Sequence, residues 1–181
     1  MEDQSGIGFE HAPVGLVVAR HRVIQQCNSK MLQIFAYRRS DLLGQSLSLL
    51  YPSTEEFERI GRIGLQRMRG TGYYADERIM KRRSDELFWC RVRGQSLTPE
   101  DPFAHSVWSF VDLSDTRPIV DLTARERQVA MLLAEGRTSK EIARLLEISP
   151  RTVEAYRARL LEKLDARNSA ELVGRMSGIP I

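Results

Sequence analysis

Cysteine is almost missing from this chain of 181 residues: there are two, Cys27 and Cys90, far apart in sequence. That excludes a disulfide framework and fits a reducing compartment. Histidine is nearly as scarce, with His11, His21 and His105 only, and no Cys/His pair has the spacing of a metal site. No run of about 18 apolar residues occurs, which excludes a hydrophobic membrane-spanning helix. The N-terminus, MEDQSGIGFE, is acidic and polar, unlike a secretion signal. A cytoplasmic protein without membrane attachment is expected.

Enzyme signatures are absent as well. There is no Gly-rich phosphate loop closed by Lys-Ser/Thr, no GxSxG elbow and no kinase signature. The carboxylate pairs Glu55-Glu56, Asp76-Glu77 and Asp85-Glu86 read as solvated surface or turn. An acidic receiver pocket on a doubly wound parallel sheet has no counterpart either. The chain is not expected to be an enzyme.

A large excess of one charge is also lacking. Residues 1–115 hold fifteen basic and fifteen acidic groups, residues 116–181 twelve and nine, so the net charge of +3 belongs to the C-terminal part. So modest a bias suits placed contacts to a polyanion, not non-specific coating of nucleic acid. The length allows two small domains, each with its own core.

The most informative stretch runs from Leu122 to Leu164. Thr123 with Glu126 forms a capping box, and Val129, Leu132 and Leu133 follow at helical spacing until Gly136. Thr138 with Glu141 repeats the box and starts a short helix whose apolar positions are Ile142, Ala143, Leu145 and Leu146. Ser149 can then cap a third helix with Pro150 in its first turn. Helix, tight turn, longer helix is the helix-turn-helix layout.

At 100° per residue the third helix has two faces. Val153, Tyr156, Leu160 and Leu164 cluster on one, with the stem of Arg157. Arg151, Glu154, Ala155, Ala158 and Arg159 lie on the other. Two alanines keep that free face thin enough for a major groove, and the charged groups around them can address bases or phosphates.

These residues resemble the LuxR/GerE-type helix-turn-helix of bacterial transcription regulators, from Leu122 to about Val173. The matching positions include Leu122-Thr123, Arg125-Glu126, Gly136, Lys140-Glu141-Ile142-Ala143, Ile148-Ser149, Thr152-Val153 and Lys163-Leu164. The resemblance implies that the third helix reads DNA, that Ser139, Lys140 and Thr152 touch phosphate, and that a fourth helix pairs two copies. Asn168 with Glu171 would cap that helix, and Leu172, Val173 and Met176 would form its dimerisation stripe. Tyr156 stands where the family usually has His, and Glu154 where it often has Lys.

Before this lies an alternation of strands and helices. Val14–Arg20 and Val23–Cys27 are β-rich and joined by His21-Arg22, a tight hairpin. Helical stretches follow near Asn28, at Ser40–Leu43 and at Glu55–Met68, then three extended runs at Tyr73–Met80, Glu86–Leu97 and His105–Asp112. The order predicts a five-stranded antiparallel sheet with helices on one face. With Phe35-Ala36-Tyr37, Leu42-Leu43-Gly44, Phe88-Trp89 and Asp112-Leu113-Ser114, it resembles the PAS sensor domain over roughly Phe9–Asp115.

That resemblance implies a sensory or dimerising module with a cavity between sheet and helices. Trp89 and Trp108 are the candidate residues for a ligand pocket there, against plain core positions. Gly44–Tyr51 lacks the cysteine of a flavin photosensor, and Ser53–Arg69 lacks the axial histidine of a haem sensor, so neither cofactor is favoured. A redox role for Cys90 would need a lowered pKa, for which Arg91 and Arg93 are the nearest cations.

The expected architecture is therefore an α+β PAS-like domain at 9–115, a linker at 116–121 containing Pro118, and an all-α four-helix domain at 122–176. The expected function is a one-component transcription regulator that binds double-stranded DNA as a homodimer, with RNA polymerase and a small-molecule ligand as further partners. A protein-interaction module acting on the transcription machinery and a flavin- or haem-carrying redox sensor remain the alternatives.

Overall fold

Alternation along most of one strand organises the N-terminal half: from Cys90 on, Cys90, Val92, Gly94 and Ser96 are buried and Arg91, Arg93 and Gln95 exposed, while Phe88 and Trp89 before them are both buried. The computed structural model describes residues 4–115 and 122–177. The chain divides into two compact units, Met1–Asp112 and Leu113–Ile181. The expected linker at 116–121 lies outside the described residues.

In the first unit the elements run α1 (Gln4–Glu10), β1 (Gly15–Arg20), β2 (Val23–Cys27), α2 (Ser29–Phe35), α3 (Arg39–Leu42), a 3-10 turn (Leu47–Leu50) and α4 (Thr54–Met68), then β3 (Tyr73–Lys81), β4 (Leu87–Ser96) and β5 (Ser106–Asp112). The five strands form one antiparallel sheet in the order β2-β1-β5-β4-β3. This is the expected sheet, with strand ends within about two residues of the expected ones. α1 was not expected, because GIGF carries no cap and two glycines of low helix propensity.

The hairpin between β1 and β2 places both His21 (φ 47°) and Arg22 (φ 64°) in the left-handed region. Two positive φ angles suit a two-residue turn between twisted strands, although non-glycine residues adopt them at some strain. α2 packs on β1 and β5, and α4 on β3. Phe35 of α2 meets Phe88 and Phe110 edge-to-face at centroid distances of 5.3 and 5.6 Å, joining helix to sheet in the core. Asn28 caps α2 and does more. Its carbonyl oxygen accepts from Leu16 N at 2.8 Å and Met31 N at 3.0 Å, while its amide donates to Phe9 O at 3.0 Å and Val14 O at 2.9 Å.

The second unit is helical: α5 (Ala124–Ala134), α6 (Ser139–Leu146), α7 (Pro150–Lys163) and α8 (Ser169–Ser177). Both expected capping boxes form, Thr123 with Glu126 and Thr138 with Glu141. Ser149 caps α7 through Thr152 N at 3.0 Å, with Pro150 in the first turn. Glu147 ends α6 in the left-handed conformation, so the turn into α7 is tight. Val129, Ile142, Val153, Leu160 and Leu172 are fully buried where the four helices meet. Leu145 departs from expectation. It is 58% exposed, since four apolar residues within five positions of a short helix cannot all face one core.

Candidate nucleic-acid interface and sensor cavity

The free face of α7 is as the helical spacing requires. Arg151, Thr152, Glu154, Ala155, Ala158 and Arg159 are all exposed, and Val153 and Leu160 are buried behind them. Lys140, near the start of α6, is exposed and Ser139 half-buried beside it. The Thr152 hydroxyl lies 2.8 Å from that of Ser149, so it is held at the helix start. Tyr156 is half-buried, and the Arg159 guanidinium stands over its ring at 5.6 Å. The ring thus anchors a cation on the exposed side.

Three polar contacts on this face leave no mark in the sequence. Ser139 donates to the Glu154 carboxylate, and Arg157 reaches both, at 3.5 Å to Ser139 Oγ and 3.8 Å to Glu154 Oε1. Arg157, counted by spacing with the packed side, turns its guanidinium into the seam between α6 and α7. Behind the face, Glu126 in the first turn of α5 pairs with Lys163 in the last turn of α7 at 2.8 Å. Burial works against the Glu126 charge, but the Lys163 ammonium and the Thr123 amide outweigh it and hold the carboxyl below its ordinary range.

The expected dimerisation stripe is placed differently. α8 packs on α5 and α7, with Leu172 0% and Met176 1% exposed, so these two are core residues of the chain itself. Val173 alone of the three is half-exposed. A four-helix unit this small needs the inner stripe of its last helix for its own core. Asn168 caps α8 through Glu171 N at 2.9 Å, and Glu171 accepts from Arg167 N at 3.0 Å.

In the first unit a cavity of about 20 Å³ opens between the inner face of the sheet and α4. Trp108, Phe110, Tyr74 and Phe103 supply its aromatic wall, and Arg22, Tyr51 and Arg78 its polar groups. Arg78 is fully buried and paired. Its Nε and Nη2 donate to Asp76 Oδ1 at 2.8 and 2.6 Å, its Nη1 donates to the Tyr51 hydroxyl, and Tyr74 donates to Asp76 Oδ2 at 2.6 Å. Burial pushes the Tyr74 phenol far above its ordinary pKa, so it stays a donor.

Comparison with known proteins follows this division. Residues 13–115 match the family described as PAS domain, and residues 120–176 match the bacterial regulatory proteins of the luxR family. The chain belongs to the PAS domain family. Its second unit is the luxR-family helix-turn-helix. The sensor protein TdiS of Thauera aromatica is 30% identical over 126 residues, covering 69% of this chain and 23% of TdiS. The transcriptional regulatory protein UhpA of Salmonella typhimurium is 58% identical over 55 residues, covering 30% of this chain and 28% of UhpA. The chain thus spans about a quarter of the length of these curated relatives. Among solved structures, a PAS domain of a LuxR-family transcriptional regulator from Burkholderia thailandensis, in complex with ethanol, is 48% identical with a TM-score of 0.59. It covers 63% of this chain and 99% of its own.

The PAS domain separates the two candidate pocket tryptophans. Trp108 pairs with Gly94 on the inner face and lines the cavity; Trp89 pairs with Ile79 and points to the other face. Adjacent strand positions alternate, so Trp89 could not share a wall with inner-facing Phe88 and Cys90. Flavin and haem do not fit this cavity. Drug-sized ligands occupy about 300–1,000 Å³, and no histidine lines the space. Cys90 is buried on the inner strand face, and burial raises its pKa far out of the reactive range despite the charge of Arg78. Arg91 and Arg93, its nearest cations in sequence, alternate to the opposite face. Among the described residues, no group of three or more His, Cys, Asp and Glu could hold a metal ion, and no helix is long and apolar enough to cross a membrane.

Proposed function

We propose that this chain is a transcription regulator in which the PAS domain controls sequence-specific binding of double-stranded DNA by the luxR-family domain. The observation that carries the reading is the free face of α7. Two small alanines lie between Arg151 and Arg159, all exposed, on a helix fixed from behind by Val153 and Leu160 and from its start by Ser149. Such a face admits close approach to base edges while the arginines offer bidentate donors. Ser139, Lys140 and Thr152 are the phosphate contacts, and Glu154 modulates them.

The protein acts in the cytoplasm as a homodimer, since paired half-sites supply the specificity one short helix lacks. Half-exposed Val173 belongs to the pairing surface of α8. The Burkholderia PAS domain holds ethanol, which supports a small ligand for the cavity beside Trp108. RNA polymerase is the partner through which the bound protein acts. The test is salt-dependent binding of the full chain to a pool of random duplexes, followed by sequencing of the retained fraction. An enriched inverted repeat with half-sites about 10 base pairs apart supports the reading. A pool left unenriched at every salt concentration removes it.

A further inference from the structure

Two guanidinium groups face the PAS cavity, those of Arg22 and Arg78, and no carboxylate lines it. Arg78 is answered by Asp76. Arg22 has no acidic side chain at ion-pair distance: its Nη2 donates to the Phe57 carbonyl at 2.8 Å, its guanidinium lies over the rings of Phe57 at 3.3 Å and Phe103 at 5.4 Å, and Tyr51 and the more distant Glu58 give it weaker support. Among the described residues no acidic side chain pairs with it. α4 makes room for this cation, because a Cβ at Gly61 would stand 2.3 Å from Arg22 Nη1. Burial pulls its pKa down, and Tyr51 and Glu58 offset only part of that cost. A carboxylate would answer it with two charge-assisted hydrogen bonds to one planar fork.

The rest of the cavity limits what else that carboxylate carries. One cation without an ion-pair partner calls for one negative charge. Arg78 and Tyr51 are already paired with each other and Arg78 with Asp76, and the other walls are mainly rings, Tyr74, Phe103, Trp108 and Phe110, so the remainder of the ligand is largely apolar. The volume of about 20 Å³ keeps the ligand small. Sulfate or phosphate would bring further oxygens against those rings, while Arg78, the other cation there, is already held by Asp76 and Tyr51. The geometry points to a small aliphatic monocarboxylate, its carboxylate on Arg22 and its short tail against Trp108 and Phe110, as the ligand of this PAS domain. This rests on the reading that the PAS half senses a ligand.

The experiment uses the full chain at fixed ionic strength, with calorimetric titration and thermal unfolding in acetate, propanoate and butanoate, and propanamide and inorganic phosphate as controls. Saturable binding of at least one carboxylate is expected, with propanamide and phosphate weaker by roughly 10-fold or more, as for loss of a charge-assisted pair. Arg22→Met should abolish that preference. Gly61→Ala, which displaces the guanidinium while adding a good helix former, should do the same with an unchanged circular dichroism spectrum. No carboxylate bound by the wild-type chain, equal binding of propanamide or phosphate, or a preference retained in both folded variants overturns the inference. DNA affinity measured alongside keeps the two readings apart. Carboxylate binding that leaves DNA affinity unchanged supports the ligand and sinks the control; ligand-free control of DNA binding by the PAS half does the reverse.

Discussion

The Ser139 hydroxyl donates to the Glu154 carboxylate, tying the start of α6 to the exposed face of α7. The acid engages the hydroxyl proposed for phosphate, and sets a negative charge on the face proposed to meet DNA. Glu154→Ala should therefore raise affinity for random duplex by roughly two- to fivefold, the scale of an exposed charge pair. Fluorescence anisotropy at two salt concentrations checks it. Weaker binding, confined to particular sequences, would instead assign Glu154 to a base such as cytosine, whose amino group a carboxylate accepts from.

Arg151 and Arg159 flank the alanines and are exposed. Replacing either by Ala should weaken specific DNA binding, by about 1–3 kcal/mol if it reads a base with two hydrogen bonds, and leave thermal stability nearly unchanged. Affinities that stay at wild-type level for both variants, at one salt concentration, would move the recognition face elsewhere.

Leu172 is wholly buried where α8 meets the other helices. Leu172→Ala should cost the luxR-family unit about 2–5 kcal/mol, read as a lower melting transition by circular dichroism. Val173→Asp, at a half-exposed site, should leave that transition nearly in place and lower the dimer fraction seen by analytical ultracentrifugation. A dimer unaffected by Val173→Asp puts the pairing surface outside α8.

Gly94 lies under the indole of Trp108, and a Cβ there would fall 2.5 Å from the ring. Gly94→Ala should destabilise the PAS domain by about 1–3 kcal/mol through overpacking of a rigid group. It should also shift tryptophan emission, since Trp108 must leave the cavity wall. An unperturbed spectrum with normal stability would contradict this packing.

Glu126 gives the pH dependence. Its carboxyl is held below the ordinary value of 4.5, so its stabilising pair with Lys163 is complete above that value and is lost as pH falls through the lower folded value. Stability of the helical unit should decline in acid below about pH 4.5, and Glu126→Gln should flatten that decline while lowering stability at neutral pH. Parallel curves for the two proteins would assign acid sensitivity to other groups.

Local chemistry made most of the fold readable. Thr123, Thr138 and Ser149 announce three helix starts because a hydroxyl with its partner three residues on satisfies amides that nothing else can. The strand runs announce themselves by alternation. What escaped depends on contacts distant in sequence. Leu172 and Met176 read as a free stripe because periodicity gives a face and not what covers it. Trp89 and Trp108 read alike as core or pocket candidates, because residue type does not give the register that sets them on opposite faces. Arg22, in a turn, gave no sign that its guanidinium meets α4, thirty-nine residues on at Gly61. Glycine there was the one available clue, a small residue inside a helix.

Asn28 uses all four of its hydrogen-bonding positions, two as acceptor and two as donor, on backbone groups of three separate segments. No other side chain has that mix on so short a stem: aspartate lacks the donors, serine the reach. The residue therefore makes the amide of Leu16, the first turn of α2 and the carbonyls at Phe9 and Val14 one cooperative opening unit, so the N-terminal segment cannot fray alone without exposing an edge of β1. Trimming by a protease near α1 would be felt as faster amide exchange in the sheet, well away from the cut.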